Sequence, residues 1–276
     1  MKIKAFFIDL DDTLLVEQEK HVKYIPDYNV KALDKLLATG VKVVIASGRS
    51  LDHMTDWIKD DWDYDFDRVG SNGATVYCQG NIISEYRVSS EKLLAVVEFM
   101  KDVKTVELFI GIEEGKLYFL RLDSKYVENF RGFLKERSED VISKKNILDT
   151  LKDKDIKDPL KMCILTENFV MTKKWTGILK QHFSEHLDFF NSSESCIEVM
   201  AKDVNKGRGM RDVCDHYGWS INEVAAIGDA ENDISMLKLT PYSYAMINAQ
   251  MKVKQAANKV VENVAEAITE VIAINS

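Results

Sequence analysis

Four short polar segments, each beside an apolar run or a helix signal, hold the residue types that could do chemistry in this chain. FFIDLDDTLL places Asp9 and Asp11 directly after an apolar stretch, and VVIASGRS ends another with Ser47, Gly48 and Arg49. Asn205-Lys206-Gly207 opens a helical pattern, and GDAENDISML carries Asp229, Asn232 and Asp233. Each has an ordinary reading. Carboxylates after a strand make a polar turn, Ser-Gly turns are common, and acidic residues suit the start of a helix. Lys206 taken alone is one of many surface lysines. A calcium loop starting at Asp9 fails, because Thr13 and Leu15 follow and Lys20 occupies the position that needs a bidentate glutamate.

Together the segments fit a different chemistry. Two carboxylates splaying from a strand end suit one group that attacks and one that handles protons. A carboxylate attacks a phosphorus centre only if both negative charges are neutralised, so such a site needs a hard divalent cation. Asp229 at a second strand end, with Asn232 and Asp233 one turn later, supplies another wall of oxygen ligands, which suits magnesium. Ser47 and nearby N–H groups can donate to phosphate oxygens, and Gly48 allows close approach. Lys206 sits at a helix start, against the dipole. That misfit points to a task such as neutralising a phosphate or the nucleophile.

The positioning elements follow from pattern. Ile3 to Ile8 and Val41 to Ala46 read as buried strands flanking an amphipathic helix from Asn29 to Ala38 that ends at Gly40. A weaker helix, Leu51 to Lys59, leads into DDWDYDFD, read as a solvated loop entering a strand. Ser71-Asn72-Gly73 and Gln79-Gly80-Asn81 punctuate two short strands in hairpin style. From about Ser84 the texture changes to helices (Ser90 to Lys101, Ser124 to Arg137, Asn168 to His182) alternating with β-rich runs, an α+β module. The β/α alternation is expected to resume with a strand at Ile197 to Met200, a helix from Lys206 to His216 and a strand at Val224 to Ile227. The expected fold class is α/β: a Rossmann-like parallel core of residues 1–83 and 191–276, with an α+β insert of residues 84–190. Ligands bind beyond the carboxyl ends of such strands, where all four polar segments fall.

The 276 residues, 46% hydrophobic and 30% charged, are ordinary for a globular protein. A net charge of -8 argues against nucleic-acid binding through a basic surface. The four scattered cysteines form no C-x-x-C pair, which suits reduced thiols in the cytoplasm. Asp9 interrupts the N-terminal apolar patch too early for a signal core, and no apolar run reaches membrane-spanning length. There is no Walker loop, no G-x-S-x-G elbow and no histidine pair with metal-ligand spacing.

In order and spacing, the segments resemble the haloacid-dehalogenase-like superfamily. The hhhhDxDxT segment is similar to its first motif, which implies Asp9 as nucleophile and Asp11 as general acid/base. Ser47 matches the second motif, Lys206 the third, and Asp229 with Asp233 the fourth. The resemblance implies Mg²⁺ held by Asp9, the backbone carbonyl of Asp11 and Asp229, with Asn232 and Asp233 in support. The large insert is similar to a type-II cap. Ser71-Asn72-Gly73-Ala74 and YAMINAQMKVKQAANKVV resemble the Cof-like, type IIB phosphatases of sugar and cofactor phosphates. Asp12 stands where that branch usually has glycine, and the tail has Asn258 and lacks its usual glycine. The implied activity is hydrolysis of a small phosphorylated metabolite through an aspartyl-phosphate on Asp9. The implied substrate contacts are Ser47, Gly48, Arg49, Asn72, Lys206 and Asn232. A phosphomutase, which returns the phosphoryl group to sugar, and a non-catalytic phosphoacceptor domain are the alternatives.

Overall fold

The structure, a computed structural model, describes residues 2–19, 22–51, 54, 62, 64–111, 116–134 and 141–276. The chain divides into two compact units, Met1–Glu85 with Asn205–Ser276, and Tyr86–Val204.

In chain order the first unit begins with β1 (Ala5–Asp9), a hairpin of β2 (Val16–Glu19) and β3 (Val22–Tyr24), α1 (Asp27–Ala38), β4 (Lys42–Ala46), β5 (Asp67–Gly70), β6 (Thr75–Cys78) and β7 (Asn81–Glu85). The second unit holds α2 (Ser90–Met100), β8 (Val106–Gly111), β9 (Leu117–Phe119), α3 (Lys125–Leu134), α4 (Ile147–Lys152), β10 (Met162–Thr166), α5 (Phe169–Phe183), β11 (Leu187–Ser193) and β12 (Cys196–Ala201). The first unit then resumes with α6 (Lys206–Tyr217), β13 (Val224–Gly228), α7 (Ile234–Leu237), β14 (Tyr242–Met246), α8 (Met251–Lys254), β15 (Lys259–Val261) and α9 (Val264–Asn275).

The large sheet runs β15-β14-β13-β1-β4-β5-β6-β7. Every pairing from β15 to β5 is parallel, and β6 and β7 add an antiparallel edge. Alternation along β1 sends Phe6 and Ile8 to one face and Ala5 and Phe7 to the other. The first pair packs with Leu33 and Leu36 of α1 and Ile268 of α9. The second pair packs with Met210 and Val213 of α6. Burial on both faces explains why β1 and β13 read as continuous apolar runs. Gln79 and Gly80, at φ 50° and 86°, turn β6 into β7 as expected of a tight hairpin.

The second unit is a five-stranded antiparallel sheet, β11-β12-β10-β8-β9. One face buries Leu108, Ile110, Met162, Ile164, Ile197 and Val199 with residues of α2, α4 and α5. This corrects one expectation. The strand at Ile197 to Met200 lies not in the parallel core but in the second sheet, so the chain returns to the first unit at Asn205 rather than at residue 191. The reason is local: only Glu194 and Ser195 separate β11 from β12, and strands joined by so tight a turn pair with each other. The helix expected at Leu51 to Lys59 and the end of the one expected at Ser124 to Arg137 fall largely outside the described residues. Among the described residues no helix is long and apolar enough to cross a membrane.

Candidate active site

β13, β1 and β4 lie side by side and parallel, with Ile8 opposite Ile227 and Asp9 opposite Ala46. Their carboxyl ends therefore share one edge of the sheet, and β5 joins them beside β4. That edge gathers Asp9, Ser47, the Ser71–Gly73 turn and Asp229.

Asp9 is buried, and Lys206 Nζ donates to its Oδ1. The same ammonium donates to Asp233 Oδ1 at 2.6 Å, and both of these side chains are fully buried. Asp233 Oδ2 accepts the backbone N–H groups of Asp229 at 3.0 Å and Ala230 at 2.9 Å. Folding that carboxylate back needs Gly228, because a Cβ there would sit 2.4 Å from Asp233 Cγ. Thr13 Oγ1 donates to Asp229 Oδ1 at 3.0 Å, which ties the first polar segment to the fourth.

Asp9, Asp229 and Asp233 each offer a carboxylate oxygen, all within 4.8 Å of one another. One ammonium faces three acids. Burial first, then the neighbouring Asp233, raises Asp9 well above the ordinary carboxylate range, and Lys206 only partly offsets this. The same two causes push Asp229 up to about 6. A largely buried, oxygen-only cluster with surplus negative charge fits a hard divalent cation, which would relieve that repulsion.

The Asp11 carboxylate takes no part in that cluster. It accepts Arg49 Nε at 2.8 Å and Nη2 at 2.6 Å in a two-pronged pair, and Lys23 Nζ at 3.0 Å. Burial alone would raise its pKa, but Arg49 and Lys23 outweigh burial and hold it below the usual value.

Ser47 is buried beside Asp9, and its Oγ accepts the Arg49 N–H at 3.2 Å. Its carbonyl accepts the Asn72 N–H at 3.0 Å, while Ser71 N–H donates to Arg49 O at 2.7 Å. Two of the polar turns thus hold each other. Ser71, Asn72 and Gly73 are successive left-handed residues, at φ 47°, 54° and 94°. A Cβ on Gly73 would lie 2.1 Å from the Asn205 carbonyl, so glycine lets this turn abut the start of α6. Asn205 caps that helix by accepting the Arg208 N–H at 3.0 Å. Asn232 Nδ2 donates to Asn72 Oδ1 at 2.9 Å, while Asn232 Oδ1 is buried without a partner among the described residues.

All the residues expected from the sequence therefore fall at one sheet edge. Three further residues join them: Lys23 from the β2–β3 hairpin, Thr13 on Asp229, and Asn248, whose Nδ2 donates to Asp12 O at 3.3 Å. Thr13 carried a signal as the last position of the DxDxT pattern. Asn248 lies in the tail segment quoted above, with no role assigned to it there, and a lysine on a short strand carried no signal.

The sequence model of haloacid dehalogenase-like hydrolases matches residues 6–272. This chain belongs to that family. The hydrolase is 27% identical over 273 residues to a 5-amino-6-(5-phospho-D-ribitylamino)uracil phosphatase, YcsE, of Bacillus subtilis, covering 98% of this chain and 94% of that one. It is 25% identical over 273 residues to the chloroplastic endoribonuclease YBEY of Arabidopsis thaliana. That match takes in 93% of this hydrolase but spans only 44% of the plant protein. In fold it resembles the subclass IIB sugar phosphatase BT4131, with a TM-score of 0.76 and 23% identity over 97% of this chain and 98% of that one. The family is the one that the four polar segments resembled, and the fold is shared with that subclass IIB neighbour.

Proposed function

We propose that this phosphatase carries the phosphoryl group on Asp9, takes Mg²⁺ as its metal and acts on small phosphorylated metabolites whose leaving group is a sugar or polyol. The observation behind this reading is the cluster of buried Asp9 and Asp233 and half-buried Asp229 around one ammonium, with Asp9 and Asp229 both raised. Asp9, Asp229 and Asp233, with the Asp11 carbonyl, would hold the cation. When bound, Mg²⁺ supplies the positive charge that lets an anionic nucleophile meet an anionic phosphate.

Lys206 engages Asp9 Oδ1 and leaves Oδ2 to attack phosphorus as the ester P–O bond breaks. Ser47 and the N–H groups of its turn receive the phosphate oxygens, and Lys206 balances their charge. Asp11 delivers a proton to the departing alkoxide. It then removes one from the water whose oxygen attacks the phosphorus of the aspartyl-phosphate, which releases phosphate and frees Asp9. Arg49 and Lys23 favour the ionised form of Asp11, so a phosphate that engages either cation would let Asp11 hold a proton more readily. The leaving-group class is supported by the phosphorylated ribityl chain named for the Bacillus subtilis relative and the sugar phosphates named for BT4131.

The test is hydrolysis of p-nitrophenyl phosphate by wild type and Asp9→Asn, with Mg²⁺ and with EDTA, followed by a panel of sugar and polyol phosphates. Metal-dependent release that the substitution removes is expected, with the panel turned over without a bisphosphate activator. Undiminished release by Asp9→Asn, or dependence on such an activator, would overturn the reading.

A further inference from the structure

The segment after β14, Ile247-Asn248-Ala249, has no part in the chemistry above, yet it reaches the nucleophile's own loop. Asn248 Nδ2 donates to the backbone carbonyl of Asp12 at 3.3 Å, across 236 residues of sequence. Asp12 has φ 61°, in the left-handed region that side chains other than glycine, asparagine and aspartate seldom adopt. Within this loop the carbonyls of Asp9 and Leu10 are satisfied locally, by the N–H groups of Leu14 and Leu15. The Asp12 carbonyl takes its partner from the tail. Its carboxylate accepts Lys23 Nζ at 3.0 Å, so the left-handed residue is gripped from both sides.

The gripping residue is itself held. Ile247 N–H donates to Val261 O at 2.8 Å and Ala249 N–H to Met246 O at 3.0 Å, which fixes the backbone on each side of Asn248. Lys252 of α8, in the same tail, pairs with Glu231 at 2.5 Å. The tail therefore touches both the loop that carries Asp9 and Asp11 and the loop that carries Asp229. A turn that glycine would adopt freely is held here by contacts.

We propose that Asn248 is a positioning residue: its bond to the Asp12 carbonyl holds the left-handed peptide that sets Asp9 and Asp11 in their working orientation. The inference rests on the reading of Asp9 and Asp11 given above. Asn248 is exposed, so its loss removes a hydrogen bond without opening a cavity.

The experiment compares kcat and KM for p-nitrophenyl phosphate in wild type, Asn248→Ala, Asp12→Gly and the double variant. Melting temperatures and peptide-level hydrogen exchange of residues 10–15 are measured alongside. Asn248→Ala is expected to lower kcat about fivefold, the equivalent of one ordinary hydrogen bond, with KM and melting temperature unchanged and exchange accelerated. In the Asp12→Gly background the same change should cost less than about twofold in kcat, because glycine holds the turn unaided. Equal losses in both backgrounds, no loss in either, or a loss confined to KM would overturn the proposal. Asp9→Asn run in parallel separates the two ideas. An active Asp9→Asn sinks the reading of the site, whereas an inactive Asp9→Asn beside a fully active Asn248→Ala sinks only the positioning role.

Discussion

Lys206 Nζ lies 2.6 Å from Asp233 Oδ1, with both side chains fully buried, and the same ammonium donates to Asp9. A lysine in the first turn of α6 opposes the helix dipole, and these two carboxylates compensate for it. Burial alone would lower the Lys206 pKa, but Asp233 and Asp9 reverse that and raise it. Replacing the lysine leaves two acids in a dry site. Lys206→Met is expected to lose about 3–5 kcal/mol of stability in EDTA, read by urea unfolding, because removing one partner of a buried ion pair strands the other. Added Mg²⁺ should recover part of that loss. Equal stability of the two proteins in EDTA would contradict this account of the pair.

Protons and metal compete for the same oxygens. Asp9 and Asp229 are raised above an unfolded value of ~3.9. For such acids the stabilising contribution is fully present below that value and is lost as pH rises through the folded value, about 6 for Asp229. The gain in melting temperature on adding Mg²⁺ should therefore be small near pH ~5 and grow as pH rises through this window. A gain that stays flat with pH would contradict it.

Asp11 acts twice in the proposed cycle, and a good leaving group separates the two roles. p-Nitrophenolate departs without a proton, so Asp11→Asn should still transfer the phosphoryl group to Asp9. It should then stall at the water step, with steady-state kcat lower by about 10²–10⁴-fold. Rapid-mixing measurements should show a burst of one nitrophenolate per active site. A slow release with no burst would show that Asp11 is needed in the first step even for this leaving group, contrary to this division of roles.

Gly73 bears on the assembly of the site rather than on its chemistry. Its φ of 94° and the Asn205 carbonyl, 2.1 Å from where a Cβ would sit, both forbid a side chain. Gly73→Ala should force the Ser71–Gly73 turn away from α6, lowering the melting temperature and kcat together. Gly177→Ala serves as the control, since nothing lies within 4 Å of the corresponding position. Unchanged kcat in Gly73→Ala would show that this contact is dispensable.

Much of the first unit was legible because its signals are local. β1, β4 and β13 are apolar runs that stop at a polar residue, and parallel strands flanked by helices bring such stops to one edge. The misfit of Lys206 at a helix start was legible too, and its explanation is the buried pair with Asp233 and Asp9. β12 was misplaced because Ile197 and Val199 are as apolar as any core strand, and periodicity does not say which sheet a strand joins. The tight Glu194-Ser195 turn from β11 is the local signal that decides it. Lys23 escaped notice because its partners Asp11 and Asp12 are set by a hairpin that folds back, and nothing in its neighbours marks it from a surface lysine. The Arg49 pair with Asp11 spans 38 residues and is equally non-local.

Whether Asp9 carries the phosphoryl group is decided by trapping the intermediate. Wild type and Asp11→Asn would be mixed with p-nitrophenyl phosphate and Mg²⁺, quenched in acid within the burst, digested and mapped by mass spectrometry. A phosphoryl group is expected on the peptide containing Asp9, localised to Asp9 and strongest in Asp11→Asn. A phosphoryl group on any other residue, or turnover with an unmodified Asp9 peptide throughout the burst, would contradict it.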